Sequence, residues 1–247
     1  MLATRGLTWR IGEVAIVDSV YLDLAPGEFL GVIGPNGAGK TSLFNLITGL
    51  RRATEGRITL DGQDIGELPP HRRARLGLGR TFQASSVFGS LSVRENVRLA
   101  VQAHCGGSMA LWRRAAADRE VAVAADVALD RVGLAHRGTA LAGTLAHGEK
   151  RKLEIALLLA GEPRVMLLDE PMAGVSAEDV PELVAVIKSL TSDSGRAVLM
   201  VEHHMDVILE LADRIAVMHH GALLACDTPE TVMANPTVQE AYLGESL

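Results

Sequence analysis

Hydrophobic and polar positions along the chain fall into distinct textures. Before residue 30, short alternating stretches are punctuated by the turn APGE, and LDGQD follows at 60–64; this pattern predicts an antiparallel β-region. The run FLGVIG (29–34) is apolar throughout, as expected of a central strand covered on both faces. A helix is predicted from about Lys40, and RITL (57–60) reads as a return strand. From 92 to 160 the alternation disappears. Ser92-Val-Arg-Glu95 has the form of a capping box, and MALWRRAAADREVAVAADVALDRVGL is Ala-rich, so the segment is predicted to be helical. Strand texture resumes in RVMLLD (164–169) and AVLMVE (197–202). The helix between them is expected to be capped by Ser176-Ala-Glu-Asp179, with Val180, Leu183, Ile187 and Leu190 on its apolar side. RIAVMHHGALLA (214–225) predicts a hairpin, and TPETVMANPTVQEAYLGE closing helices. The organisation is an α/β core with a helical insert.

Composition narrows the class. Apolar residues make up 48% of the 247, but only 3% are aromatic, so the core must be built from Leu, Val, Ile and Ala. A net charge of −6 argues against a dedicated nucleic-acid binder, which is usually basic. Cys105 and Cys226 lack metal-site spacing and suit a reducing compartment. The opening MLATRGLTWRIGEV lacks the apolar core of a signal peptide. The longest apolar candidate, IALLLAG, is flanked by Glu154 and Glu162, so membrane contact is expected to be indirect.

The chemistry concentrates in GPNGAGKTS (34–42), which fits G-x-x-x-x-G-K-[ST] between a strand and a helix. Gly34, Gly37 and Gly39 allow backbone N–H groups to turn inward around an anion, with Pro35, Asn36 and Ala38 between them. The helix N-terminus at Lys40, Thr41 and Ser42 adds partial positive charge. Lys40 is expected to bridge β- and γ-phosphates, and the Thr41 hydroxyl to hold Mg²⁺. Such a loop also needs an acidic residue on a neighbouring strand for the metal. RVMLLDEP supplies Asp169, with Glu170 beside it. Adjacent strand residues point to opposite faces, so Asp169 can face the metal while Glu170 polarises an attacking water. Gln83, in RTFQASSVF, is a candidate either to ligate Mg²⁺ or to orient water. His203 follows an apolar strand, where ligands meet strand ends in an open α/β sheet, and its imidazole can hydrogen-bond a γ-phosphate. The pairs His203-His204 and His219-His220 are not read as metal ligands, because adjacent strand side chains diverge.

GPNGAGKTS, Gln83, LAHGE (145–149), LLDEP and His203 occur in the order and rough spacing of ATP-binding cassette (ABC) ATPases, and the chain resembles that family over its whole length. The resemblance implies a P-loop NTPase of the α/β class. It has a RecA-like core with an antiparallel β-subdomain, over 1–83 and 161–247, and an inserted α-helical subdomain over 84–160. It implies ATP and Mg²⁺ as ligands, with Thr41, Gln83 and Asp169 around the metal. Glu170 resembles the catalytic base and His203 the γ-phosphate sensor. Leu145, Ala146, His147, Gly148 and Glu149 resemble the signature loop, which closes over the γ-phosphate held by a second subunit in a head-to-tail dimer.

Departures from the general pattern are equally informative. The common signature is L-S-G-G-Q, so Ala146 replaces the serine, and one hydrogen bond worth about 1 kcal/mol is missing. Ser176 stands where the family usually has Asp. Ile11 occupies the position of the adenine-stacking aromatic, with Trp9 on the same strand face as the alternative. LAHG followed by EKRKLEIA, GLGRTFQ, AGVS, VEHHMDVI and NPTVQEAYLGE all resemble the branched-chain amino-acid importer branch, with urea-importer ATPases similar. Within that branch Ala146 and Ser176 are ordinary, and an active ATPase is expected.

The resemblance implies the energy-coupling subunit of an importer, held peripherally at the cytoplasmic face of the plasma membrane. Its implied partners are a second ATPase subunit, identical or paralogous, two integral-membrane permeases and, indirectly, a solute-binding protein. The groove around Gln83–Arg98 is expected to receive a permease helix on an apolar floor of Phe82, Val87, Phe88 and Leu91. The alternatives are a lipopolysaccharide-type exporter ATPase, which shares the YLGE-like tail, and a soluble ABC ATPase acting on nucleic acid or ribosomes. One cassette, no sustained heptads and the negative charge weigh against the last.

Overall fold

The computed structural model describes residues 1–81, 87–105, 114–192 and 195–243. The first elements along the chain are β1 (Leu2–Ile11), β2 (Val14–Leu24), β3 (Phe29–Ile33), α1 (Lys40–Thr48), β4 (Glu55–Leu60) and β5 (Gln63–Asp64). Then come α2 (Pro70–Arg75), β6 (Leu78–Arg80), α3 (Val93–His104), α4 (Arg114–Arg131), α5 (His147–Leu159) and β7 (Val165–Asp169). The last are α6 (Val180–Ser192), β8 (Ala197–Val201), α7 (Met205–Leu211), β9 (Arg214–His219), β10 (Ala222–Asp227), α8 (Pro229–Met233) and α9 (Pro236–Leu243).

These elements form two compact units. The first comprises Met1–Arg80, Arg164–Glu170 and Leu190–Leu247. It holds an antiparallel four-stranded sheet, β2-β1-β4-β5, and a six-stranded sheet, β10-β9-β3-β8-β7-β6. In the larger sheet β3 runs parallel to both β8 and β9, and β7 is parallel to β8 and β6; only β10 is antiparallel. Every residue of β3, β7 and β8 is buried, as their apolar runs predict, with Asp169 the one polar side chain, at the end of β7. One apolar cluster joins Leu7, Val17 and Ile58 of the smaller sheet to Leu43, Phe44 and Ile47 of α1 and to Leu30 and Leu199 of the larger.

The second unit comprises Thr81–Pro163 and Pro171–Ser189. It takes in more than the 84–160 insert read from the chain, because the residues leading into α6 pack on α5. Lys152, almost wholly buried, pairs with Glu182 at 2.6 Å. The expected capping box at the start of α3 forms: the Glu95 N–H donates to Ser92 Oγ, and the Ser92 N–H to Glu95 Oε2. Ala125 and Ala128 of α4, Val97 and Val101 of α3 and Ala156 of α5 are all buried, and the three helices pack on one another. The predicted cap of α6 differs. The helix begins at Val180, and the Ser176 hydroxyl donates to the Asp179 carboxylate (2.7 Å) instead of accepting from the backbone. An intervening turn, with Asp179 N–H and Val180 N–H both on Ser176 O, consumes the expected first turn. Among the described residues, no helix is long and apolar enough to cross a membrane.

One buried cation that periodicity does not reveal ties the first unit together. Arg73 of α2 is 2% exposed, and its guanidinium donates to the carbonyls of Leu46, Ile47, Leu68 and Gly66. Two of these carbonyls belong to the last turn of α1, where Leu46 O also accepts the N–H of the C-cap Gly49. Burial pushes the Arg73 guanidinium down from its ordinary value, opposed by Asp64 and Glu67. Arg73→Met removes the donors and leaves buried acceptors unsatisfied. The expected loss is roughly 2–4 kcal/mol in chemical denaturation; a loss under about 0.5 kcal/mol, the range of ordinary surface substitutions, would show that the clamp carries no load.

Candidate functional site

The P-loop follows the C-terminal end of β3, and its shape is fixed by close backbone approaches. Gly34 has φ 152°, and a Cβ there would lie 2.2 Å from Met218 O on β9. Gly39 has φ 96°, and a Cβ would lie 2.6 Å from Ile16 O on β2. The loop is further stapled by hydrogen bonds from Gly221 N–H to Ala38 O and from Asp18 N–H to Gly221 O. Gly37, φ 79°, opens onto free space, as do the exposed Asn36 and Thr41. Pro35 is half-buried, as is Ser42.

Lys40 lies at the start of α1, 6% exposed, and its ammonium donates to the carbonyls of Gly34 and Pro35. Burial pushes this ammonium down from its ordinary value, while the Glu170 and Asp169 carboxylates pull it back up. The N-cap of α1 is Gly39, with no side-chain cap and no acidic residue in the first turn, so no side chain of the helix itself offsets the partial positive charge at that end. A glycine-lined concavity, a buried ammonium and an uncapped helix N-terminus fit a polyphosphate.

The acidic partners come from the ends of the neighbouring parallel strands, the usual ligand side of such a sheet. Asp169 closes β7 and is 1% exposed; its Oδ2 accepts from Arg80 Nη2 at 2.6 Å. Arg80, at the end of β6, also donates to Asn45 Oδ1 at 2.7 Å and Thr48 Oγ1 at 3.3 Å, and its guanidinium lies over the Phe44 ring. Glu170 and Asp169 diverge, but strand alternation is not the cause. Glu170 has left-handed backbone, φ 48°, and its N–H donates to Val201 O. This turn carries its carboxylate to a half-buried position, 3.1 Å from His203 Nε2. Glu202 fixes the backbone of His203: 3% exposed, it accepts the His203 N–H at 2.7 Å and the His204 N–H at 3.4 Å.

The first unit therefore brings Lys40, Asp169, Glu170 and His203 to the carboxyl ends of β3, β7 and β8. Arg80 and Glu202 belong to the same set and were not anticipated. Arg80 sits in a three-residue strand too short for periodicity, and its partner lies 89 positions away. Gln83 and Phe82 lie outside the described residues. Ile11 is 58% exposed at the tip of the β1–β2 hairpin, whereas Trp9 packs against the core with the Arg51 guanidinium over its ring. The His219 and His220 rings stand 4.0 Å apart at the β9–β10 turn; among the described residues, no group of three or more His, Cys, Asp or Glu side chains converges as a metal site.

The second unit carries Leu145–Glu149. Leu145 is buried, Ala146 and His147 are exposed, and α5 begins at His147 with Ala146 as its N-cap. Alanine supplies no oxygen, so the capping box is half formed: only the Glu149 carboxylate reaches back, accepting the Ala146 N–H at 3.1 Å. The other Glu149 oxygen lies 3.1 Å from Arg137 Nε. Gly148 lies tightly against its neighbour, since a Cβ there would stand 3.0 Å from Asp179 Cβ. Near α3, Asn96 clamps the turn before it, bonding both the N–H and the carbonyl of Phe88, whose side chain is 60% exposed. Val87 and Leu91 beside it are half-buried.

The family model for ABC transporters matches residues 17–173, and that for the branched-chain amino acid ATP-binding cassette transporter matches 222–247. Among curated relatives, the high-affinity branched-chain amino acid transport ATP-binding protein BraF of Pseudomonas aeruginosa is 39% identical, over 100% of this chain and 98% of its own length. LivG of Escherichia coli, described in the same words, is 38% identical over the same shares. Among solved structures, a nucleotide-free cassette from an ABC transporter superposes with a TM-score of 0.86 at 28% identity, covering 99% of both chains. A cassette in its ADP conformation gives 0.86 at 29%, again over 99% of both. From the phosphate loop to the final helices, the chain belongs to the ABC transporter family as an ATP-binding cassette.

Proposed function

We propose that this cassette is the ATP-hydrolysing, energy-coupling subunit of an importer for branched-chain amino acids or a related small polar solute. The observation that carries the catalytic part is the contact between Glu170 Oε1 and His203 Nε2, beside the buried ammonium of Lys40. The solute class rests on full-length relatives that transport branched-chain amino acids, and on the match of the C-terminal segment to that branch.

In this reading the backbone N–H groups at positions 36, 37 and 39–42 and the Lys40 ammonium grip the phosphates, and the exposed Ile11 packs on the adenine. Thr41, Asp169 and Gln83 would hold Mg²⁺, which supplies neutralisation of charge across the β- and γ-phosphates. Glu170 accepts the proton of the water that attacks the γ-phosphorus. His203 donates through Nε2 to Glu170, which holds that carboxylate in place, and lies where it can also meet the γ-phosphate. The uncapped N-terminus of α5, with its N–H donors at His147, Gly148 and Glu149, serves the γ-phosphate held by a second subunit, identical or paralogous, in a head-to-tail pair. ATP binding closes the pair and hydrolysis reopens it. The exposed Phe88 supports docking of a permease helix near residues 83–98, and such docking would hold the cassette peripherally at the cytoplasmic face of the membrane.

Glu170→Gln keeps the shape but removes the base. Its phosphate release is expected to fall about 10²–10⁴-fold while ATP binding persists, and ATP should drive the variant into dimers on size exclusion; turnover within twofold of the wild type would remove Glu170 from this role. In cells deleted for the chain, uptake of labelled leucine, isoleucine and valine is expected to be lost. The wild-type chain should restore it and Glu170→Gln should not, and undiminished uptake in the deletion would refute the solute class.

Ala146→Ser completes the half-formed capping box. It is expected to stabilise the protein by about 1 kcal/mol, seen as a rise of roughly 2–4 °C in Tm for a chain of this size. An added hydrogen bond of about 1 kcal/mol to the γ-phosphate would lower the apparent KM for ATP about fivefold. A Tm rise with unchanged KM would confine the substitution to helix capping.

A further inference from the structure

We propose that Arg80 is a positioning residue for the metal site: it locks the Asp169 carboxylate to the helix that carries Thr41, so that the two protein groups read as Mg²⁺ holders keep a fixed relation. The proposal rests on the reading of Thr41 and Asp169 given above.

The geometry forms a continuous chain. Thr41 and Asn45 lie one turn apart on α1. Asn45 Oδ1 accepts from Arg80 Nη1 at 2.7 Å, and Asp169 Oδ2 accepts from Arg80 Nη2 at 2.6 Å. Thr48 Oγ1 accepts from Nη1 at 3.3 Å, and the Phe44 ring supports the guanidinium from the same helix. The two side chains of the ion pair are 7% and 0% exposed, so the contact is neither screened nor free to exchange with water. Arg80 is itself pinned, because β6 is hydrogen-bonded in register to β7, with Arg80 opposite Leu167.

Only a planar fork performs this task. Guanidinium presents separate N–H groups to two acceptors at once, whereas a lysine ammonium is a point charge on a flexible stem and cannot hold both in one geometry. A purely charge-balancing role would be met by either cation. The proposal therefore predicts that Lys at position 80 fails even though the charge is kept.

The experiment measures the affinity of the whole chain for a fluorescent N-methylanthraniloyl ATP, titrated with magnesium chloride and, separately, in EDTA. Arg80→Lys is expected to bind the nucleotide in EDTA within twofold of the wild type, since the P-loop and Lys40 are untouched. Its half-maximal Mg²⁺ concentration is expected to rise at least tenfold, in the same direction as Asp169→Asn. Asn45→Ala removes only the second arm of the fork and is expected to raise that concentration about threefold; it keeps the test open should position 80 prove intolerant. A role limited to stability would lower the unfolding midpoint of these variants without moving the Mg²⁺ dependence at temperatures where they remain folded. An unmoved Mg²⁺ midpoint in folded Arg80→Lys and Asn45→Ala, with a shifted one in Asp169→Asn, overturns this proposal alone. An unmoved midpoint in all three overturns the metal reading on which it rests.

Discussion

The first unit is organised around the need to keep an ammonium charged inside a nearly closed loop. Lys40 is 6% exposed, and removing a charge of that size from water costs several kcal/mol even after the protein relaxes. The cost is offset locally by the carbonyls of Gly34 and Pro35 and at longer range by the carboxylates of Glu170 and Asp169. Asp169 is itself buried and is balanced by Arg80. Charges of alternating sign thus run across the carboxyl ends of the parallel strands. β3 and β8, and β7 as far as Asp169, carry no polar side chains, bury on both faces and leave the polar chemistry to their ends. The glycines follow from the same constraint: the loop must pass so close to Met218 O and Ile16 O that no Cβ fits at positions 34 and 39.

Much of this was legible in the sequence because it is local. A continuous apolar run reads as a buried strand, a glycine-rich loop before a lysine reads as an anion cradle, and Ser92 with Glu95 reads as a capping box. What escaped reading is held by contacts distant in sequence or contrary to a local rule. Arg80 finds Asp169 only after β6 has paired with β7, and Arg73 finds the end of α1 only after α2 has folded back. Glu202 looks like one more strand-end acid until its carboxylate is seen to receive two backbone N–H groups beside His203. At Ser176 the local rule gave the wrong partner. The box pattern S-x-x-D is present, but the Asp179 carboxylate lies close enough to take the hydroxyl proton, and the helix starts later. Glu170 is the reverse case: the divergence from Asp169 is real, but a left-handed backbone produces it.

The start of α5 carries an apparent contradiction in charge. A helix N-terminus offered to a phosphate gains from being positive, yet Glu149 sits in its first turn. The structure resolves this by engaging both carboxylate oxygens. One accepts the Ala146 N–H, and the other faces Arg137 at 3.1 Å, so the negative charge is drawn toward the flank of the helix. Glu149 thereby steadies the first turn in place of the missing N-cap hydroxyl. Ala146 as N-cap leaves the next N–H groups, from His147 onward, without a side-chain cap that an incoming anion would have to displace. On the proposed reading, in which a phosphate enters from outside, Ala146 is a consistent choice, because a serine there would satisfy its own helix first and the phosphate second. On this view Gly148 has a separate duty. It lets the chain leading into α6 approach α5 at Asp179.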